Sequence, residues 1–240
     1  MPGSDGLYVL DLDGMDQSAV DLADPTRLVF DYVRRIGDVL DRRPPGPLRA
    51  LHVGGAAMTL PRYVAATRPR SAQIVLEPDQ QVIERVRAEA PLPPRSGIKV
   101  RPVDGLNGIA AVRDDAQDVV VVDAFRDAVV PAELTTERFF AEVARVLAPG
   151  GVLIANIADR APFALVRTVV AGLVATVGGE VWAGAEPATL KAKRPGNVVL
   201  VAGTVTDTVG AAPFGSPSPT AYRVFDPRAV SDSFGGGRPG

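Results

Sequence analysis

Leu48–Glu77, LRALHVGGAAMTLPRYVAATRPRSAQIVLE, is the stretch whose reading decides the fold. It opens on a short apolar run, Leu48, Ala50, Leu51 and Val53, broken at once by Gly54-Gly55. A helix-compatible segment follows, with Met58, Leu60, Tyr63 and Val64 as its apolar positions, and a second apolar run, Ile74-Val75-Leu76, ends on Glu77. The order is strand, glycine turn, helix, strand, acid. Glycines let the backbone pass close to a ligand, and the helix that follows offers free N–H groups at its start. An acid at the tip of the second strand is placed to accept hydrogen bonds from two ribose hydroxyls. The same residues also fit a plain tight turn and a helix cap.

Upstream, residues 7–12 read as a strand, Asp13-Gly14 as a hairpin turn, and 15–20 as the returning strand, which carries Gln17. Asp24-Pro25 is expected to start a helix, with Leu28, Val29, Tyr32, Ile36, Val39 and Leu40 on its apolar face. The run from Asp41 to Pro47 cannot continue it and marks a boundary. Downstream the alternation is strong. A helix from Pro78-Asp79 leads to a strand over 98–103 that closes on Asp104-Gly105, and a short helix covers 106–112. The nearly all-valine run 118–122 has the composition of a central strand covered on both faces, and it ends at Asp123. Thr135 or Thr136 caps the next helix, and Pro149-Gly150-Gly151 ends it. Strands are expected at 152–157, 179–183 and 197–203, with a long helix over 161–177. This pattern predicts an α/β fold with a doubly wound, mostly parallel, seven-stranded sheet and a small N-terminal β-hairpin. The expected division is a hairpin and helix cap over 1–44, a nucleoside-binding α/β domain over 45–205, and a flexible tail over 206–240, tethered at most by Tyr222, Val224 and Phe225.

Composition narrows the chemistry. The 240 residues, 46% of them apolar, suit one α/β domain with a large core. A net charge of −2 gives no basic field for nucleic acid or an anionic membrane. The arginines at 34, 35, 42, 43, 62, 68 and 70 lie among acids and read as solvated faces. With no cysteine and one histidine, thiolate chemistry and multi-histidine metal sites are excluded, so no metal is expected. His52, inside the first apolar strand, reads as a packed residue more than as a base. No secretory signal is visible and no apolar run approaches a membrane span, so the expected location is the cytoplasm.

In a doubly wound sheet, ligands bind beyond the carboxyl ends of the strands, where strand order reverses. Four strand ends carry signals here: Gly54-Gly55, Glu77, Asp104 and Asp123. Asp104 is placed for the exocyclic amine of an adenine, and Asp123 for the centre of the crevice. Each acid also fits as the cap of a following helix, least so Asp123, whose loop does not read as helical. Asp127 is a second candidate acid in that loop, and Phe125 and Trp182 are candidate pocket aromatics or buried ones.

From about Val9 to Val201 the chain resembles the spermidine synthase (polyamine aminopropyltransferase) family, which has the class I S-adenosylmethionine-dependent methyltransferase fold. The resemblance rests on Leu-Asp-Gly-Met-Asp-Gln17, His-Val-Gly-Gly55, Val-Leu-Glu77, Val-Asp-Gly105, Val-Val-Asp123 with Val-Pro-Ala132, and Arg-Val-Leu-Ala-Pro-Gly-Gly151. It implies a transferase in which Gln17, Gly54, Gly55 and Glu77 hold a sulfonium nucleoside, while Asp104 and Gly105 hold its adenine. Asp123 would then orient and deprotonate the attacking amine, with Asp127 and Tyr32 as candidate substrate contacts. The implied reaction is aminopropyl transfer from decarboxylated S-adenosylmethionine to putrescine, and the implied assembly is a homodimer. The chain has Gly-Gly-Ala-Ala57-Met58 where the family carries an acid in the loop, and Ala-Phe-Arg126-Asp127 after Asp123 where the family has small hydroxyl residues. These differences motivate two alternatives: a methyltransferase using intact S-adenosylmethionine, and a non-catalytic member of the family.

Overall fold

The computed structural model describes residues 6–12, 15–126, 129–178, 180–203, 212–215 and 221–240, with backbone only at 12 and 15–17. Strands β1 (Leu7–Leu12) and β2 (Met15–Asp21) form the antiparallel N-terminal hairpin. Helix α1 (Asp31–Asp41) leads to β3 (Arg49–Val53), α2 (Thr59–Thr67), β4 (Ala72–Leu76), α3 (Gln80–Glu89), β5 (Ile98–Arg101), α4 (Gly105–Ala110) and β6 (Gln117–Val122). A 3-10 turn, Ala132–Thr135, precedes α5 (Glu137–Val146), β7 (Leu147–Asp159), α6 (Ala164–Thr176), β8 (Glu180–Ala185), α7 (Pro187–Leu190) and β9 (Gly196–Gly203). The chain ends with β10 (Arg223–Phe225) and α8 (Pro227–Phe234).

The large sheet has eight strands in the order β10-β8-β9-β7-β6-β3-β4-β5. The five strands β5, β4, β3, β6 and β7 are mutually parallel, and β9, β8 and β10 add antiparallel to one side. From β3 the chain winds outward to β4 and β5, then returns to the other side for β6 and β7. The order therefore reverses between β3 and β6, and a crevice opens beyond Val53 and Val122. The valine run serves both faces of the sheet. Val119 and Val121 pack beneath α1 and α2, whereas Val120 and Val122 pack with α4, α5 and α6. Such two-sided burial is why this strand does not alternate with polar residues.

Several boundaries differ from expectation. The helix expected at Asp24-Pro25 begins instead at Asp31. Asp24 closes a local turn: its carboxylate accepts from the Thr26 N–H at 3.0 Å and the Thr26 hydroxyl at 2.5 Å. At α5 it is Thr136 that caps, its hydroxyl accepting from the Phe139 N–H at 3.2 Å. The sheet has eight strands and not seven, because part of the expected tail is regular. β10 pairs with β8, and Phe225 and Phe234 pack edge-on at 5.2 Å, burying the start and end of that segment. Periodicity is weak there because three strand residues and eight helical ones are too few to show it.

The arginines expected on solvated faces are partly structural. Arg35, Arg62 and Arg68 are buried. The Arg68 guanidinium donates to the carbonyls of Leu40 (2.7 Å), Asp41 (3.1 Å), Arg43 (2.8 Å) and Pro44 (2.6 Å), satisfying the C-terminal carbonyls of α1. Arg62 donates to Ala57 at 3.3 Å, to Pro91 at 3.3 Å and to Ala90, and so ties the glycine loop to the end of α3. Among the described residues no helix is long and apolar enough to cross a membrane.

Candidate active site

The crevice at the switch point is a cleft of about 290 Å³. Gly54, Gly55, Glu77, Asp104, Gly105, Asp123 and Tyr32 all line it, so the strand-tip residues do converge on one hollow. Gln17 lies in β2, but its side chain is outside the described residues, as is Asp127.

The glycine turn is dictated by close packing. Gly54 has φ +94°, and a Cβ there would run into the Asp123 carbonyl on the neighbouring strand. Its N–H donates to the Leu76 carbonyl at 2.9 Å, while the Asp123 N–H donates to the Val53 carbonyl at 2.9 Å. A Cβ on Gly105 would meet Val53 and Leu134, at 2.5 and 2.7 Å, so that glycine lets α4 start against β3.

Glu77 braces the turn. Its Oε2 accepts from the Gly55 and Ala56 N–H groups at 3.0 and 3.3 Å, and its Oε1 from the Asp79 N–H at 3.0 Å. Asp104 is the N-cap of α4, accepting from the Asn107 N–H and Nδ2, each at 2.8 Å, and these bonds hold its carboxyl below the usual carboxylate range. The capping reading of Asp104 is thus realised while the residue also lines the cleft.

Asp123 differs from both. No helix follows it, and it is half-buried at the tip of β6. Burial pushes its carboxyl up to about 6, against the opposing hydrogen bond from Asn156 Nδ2 at 2.9 Å. The Tyr32 phenol, on α1, is raised well above its ordinary value, mainly by burial and then by the charge of Asp123. A half-buried carboxyl poised near 6 beside a neutral donor is suited to exchange a proton with a bound ligand near neutral pH.

Sequence reasoning missed Asn156, whose signal was a single amide in the apolar run 152–157. It also missed Ser18 and Thr59, which line the wall nearest the hairpin with their hydroxyls 2.8 Å apart. Arg126 and Glu133 stand at the rim, 4.0 Å from each other, and Arg126 is fixed by reciprocal backbone bonds with Val129 at 2.9 and 3.0 Å. Phe125 lines the cleft, whereas Trp182 is buried in the core beneath α1. Among the described residues no group of three or more potential ligands is arranged to hold a metal ion.

No protein-family model matches the sequence. Over 142 residues the chain is 30% identical to the polyamine aminopropyltransferase of Chromobacterium violaceum, covering 58% of this chain and 53% of that protein. Over 133 residues it is 29% identical to that of Vibrio vulnificus, covering 54% of this chain and 44% of the relative. The chain therefore spans about half the length of the curated relatives it matches. In structure it superposes on a probable spermidine synthase from Corynebacterium glutamicum with a TM-score of 0.87 and 26% identity, over 98% of this chain and 88% of the other. Spermidine synthase from Thermotoga maritima matches with a TM-score of 0.59 and 18% identity, over 94% and 76% of the two chains. The chain is thus related in sequence to the polyamine aminopropyltransferases and shares its fold with spermidine synthases.

Proposed function

We propose that the protein is a spermidine synthase-like transferase that moves an aminopropyl group from an adenosyl sulfonium donor to an amine, with Asp123 as the base. The observation that carries this reading is Asp123 itself: a half-buried carboxyl, raised to about 6, directly beside the glycine turn that Glu77 braces. In this reading Gly54 and Gly55 let the nucleoside approach β3, Glu77 faces the ribose, and Asp104 and Gly105 face the adenine. Gln17, Tyr32 and Asp127 complete the substrate contacts, and no metal takes part. The Glu77 carboxylate keeps lone pairs beyond its three backbone partners, enough to accept from ribose hydroxyls as well.

The chemistry is a direct displacement. The amine nitrogen attacks the methylene beside the sulfonium, the C–S bond breaks, and its electrons neutralise the sulfur, which leaves in methylthioadenosine. Asp123 accepts the proton released from the new ammonium. The donor already carries the activated leaving group, so alignment and removal of one proton are what the protein supplies. The Asn156 amide, donating to Asp123 Oδ1 at 2.9 Å, orients the carboxylate for the step. The proposal extends to a cytoplasmic homodimer, in keeping with the resemblance to spermidine synthases.

Incubation with decarboxylated S-adenosylmethionine and a panel of amines should release methylthioadenosine, and Asp123→Asn should abolish it. Absence of release across the panel would refute the reading. A second reading is methyl transfer from intact S-adenosylmethionine. It is favoured by one observation, the loop Gly54–Met58, which brings no acid to the cleft to balance the bare ammonium of a decarboxylated donor. Parallel calorimetric titrations with the two donors separate the readings, since each predicts tighter binding of its own donor.

A further inference from the structure

Arg126 lines the cleft three residues beyond Asp123, and among the described residues that do so it is the only lysine or arginine. His52 lines the cleft too, but it is 2% exposed, as expected of a packed strand residue, and burial holds its imidazole neutral with the pKa lowered to about 4. The standing positive charge on the described wall is therefore that of Arg126. Its main chain is fixed. The Arg126 N–H donates to the Val129 carbonyl at 2.9 Å, and the Val129 N–H to the Arg126 carbonyl at 3.0 Å. The Asp123 N–H is anchored on the Val53 carbonyl of β3, so both ends of the short segment from Asp123 to Arg126 are held by the fold.

What sets Arg126 apart is an unused guanidinium. Arg62 and Arg68 spend theirs on main-chain carbonyls, and Arg49 and Arg145 spend theirs mainly on carboxylates. The Arg126 guanidinium makes no hydrogen bond among the described residues. Its ion-pair partner, Glu133, stands 4.0 Å away, beyond hydrogen-bond reach, and the arginine side chain is 66% exposed. The remaining acids of the cleft lie toward β4, α3 and α4 and are already engaged: Glu77, Asp79 and Asp104 each accept from main-chain N–H groups. A planar guanidinium with free donors takes a carboxylate through two parallel hydrogen bonds. It balances one negative charge, so beside Asp123 and Glu133 a carboxylate suits the place better than a doubly charged phosphate. A second ammonium on the acceptor would meet like charge there.

We propose that Arg126 is a specificity-determining residue that selects an acceptor bearing a carboxylate: the amine of an amino acid meets Asp123 while its carboxylate is held by the Arg126 guanidinium. The acceptor is thus a zwitterion and not a diamine. This rests on the reading of Asp123 as the group that receives the amine. The two residues have separate roles, Asp123 setting the rate and Arg126 setting which amine is held. Glu133 competes with the ligand carboxylate for the same guanidinium and limits how tightly it is held.

The test uses the full chain saturated with methylthioadenosine, titrated by calorimetry at low salt with 4-aminobutanoate, 4-aminobutanamide and 1,4-diaminobutane. These differ in the charge of the far group, negative, neutral and positive. The series is repeated with shorter and longer homologues, because the proposal fixes the charge and not the length. At one length or more the carboxylate should bind about fivefold more tightly than the amide and about tenfold more tightly than the diamine, the range of a solvent-exposed ion pair gained and a like-charge contact avoided. In Arg126→Gln the order should flatten to within about twofold while methylthioadenosine binds as before, and in Arg126→Glu it should reverse in favour of the diamine. Glu133→Gln should tighten the carboxylate. A native protein that prefers the diamine or shows no preference, or a carboxylate preference that survives Arg126→Gln, overturns the assignment. Transfer is measured alongside with decarboxylated S-adenosylmethionine. An Arg126-dependent preference without methylthioadenosine release sinks the proposed reaction and leaves the subsite standing. Release without such a preference does the reverse, and failure of methylthioadenosine or of every amine to bind overturns both.

Discussion

Replacing Asp123 by Asn should make the protein inactive and, at neutral pH, more stable. The folded-state carboxyl sits at about 6, against an ordinary value of 3.8. Between those values the folded chain holds more protons than the unfolded one, so stability falls as pH rises through this window, and the loss is complete above it. A shift of about two units corresponds to roughly 3 kcal/mol, as an upper bound for a half-buried group. Asn keeps an oxygen for the Asn156 amide but never ionises, and so it escapes this loss. At pH 7.5 the variant should melt several degrees higher, at roughly 2–4 °C per kcal/mol for a chain of this size, and at pH 4 the difference should vanish. Urea denaturation of both proteins across pH 4–8 measures it. A variant that is less stable at pH 7.5, or a difference independent of pH, would refute the assignment of Asp123 as a carboxylate held ionised at a cost.

Other outcomes follow from the same geometry. Asn156→Leu removes the donor that favours the ionised form, a bond of about 1.5–3 kcal/mol, so the acid limb of the kcat/KM profile should rise by about 1–2 pH units. A limb that stays in place would show that Asn156 does not tune the base. Gly54→Ala forces a left-handed backbone on alanine and a clash with the Asp123 carbonyl; chemical denaturation should show a loss of roughly 1–3 kcal/mol, and calorimetry a loss of nucleoside binding. Tyr222→Ala should cost about 3–5 kcal/mol in the same denaturation assay, because the ring fills the space over Gly184, bonds the Gly184 carbonyl at 2.8 Å and stacks under the Arg35 guanidinium at 4.6 Å. An unchanged midpoint would mean that the C-terminal segment does not hold α1.

What could be read in the sequence was what the backbone dictates locally. Gly54-Gly55 and the all-valine run announced a tight turn and a central strand: a Cβ on Gly54 would run into the Asp123 carbonyl, and the valines are buried on both faces of the sheet. The convergence of Glu77, Asp104 and Asp123 could be expected because parallel strands bring their carboxyl ends to one edge. Less legible were features set by partners distant in the chain. Arg68 reads as a surface charge until α1 is seen to end on it, and β10 is a strand only because β8 leaves an edge open. His52 could be placed on a strand, but its hydrogen bond depends on Gln73 and Pro61, residues whose roles no local pattern reveals. Asp104 met two expectations at once, since the cap of α4 also lines the cleft, although β5 ends at Arg101 and not next to it as expected.

The central claim is that the cleft between β3 and β6 holds an adenosyl sulfonium against Glu77 and Asp123. Titrating the purified protein with methylthioadenosine and with both forms of S-adenosylmethionine tests it most directly. The account predicts saturable binding at one site per chain, weakened about tenfold or more by Glu77→Ala, the loss of at least one charge-assisted hydrogen bond. No binding of any of the three nucleosides, or binding that Glu77→Ala leaves untouched, would contradict it.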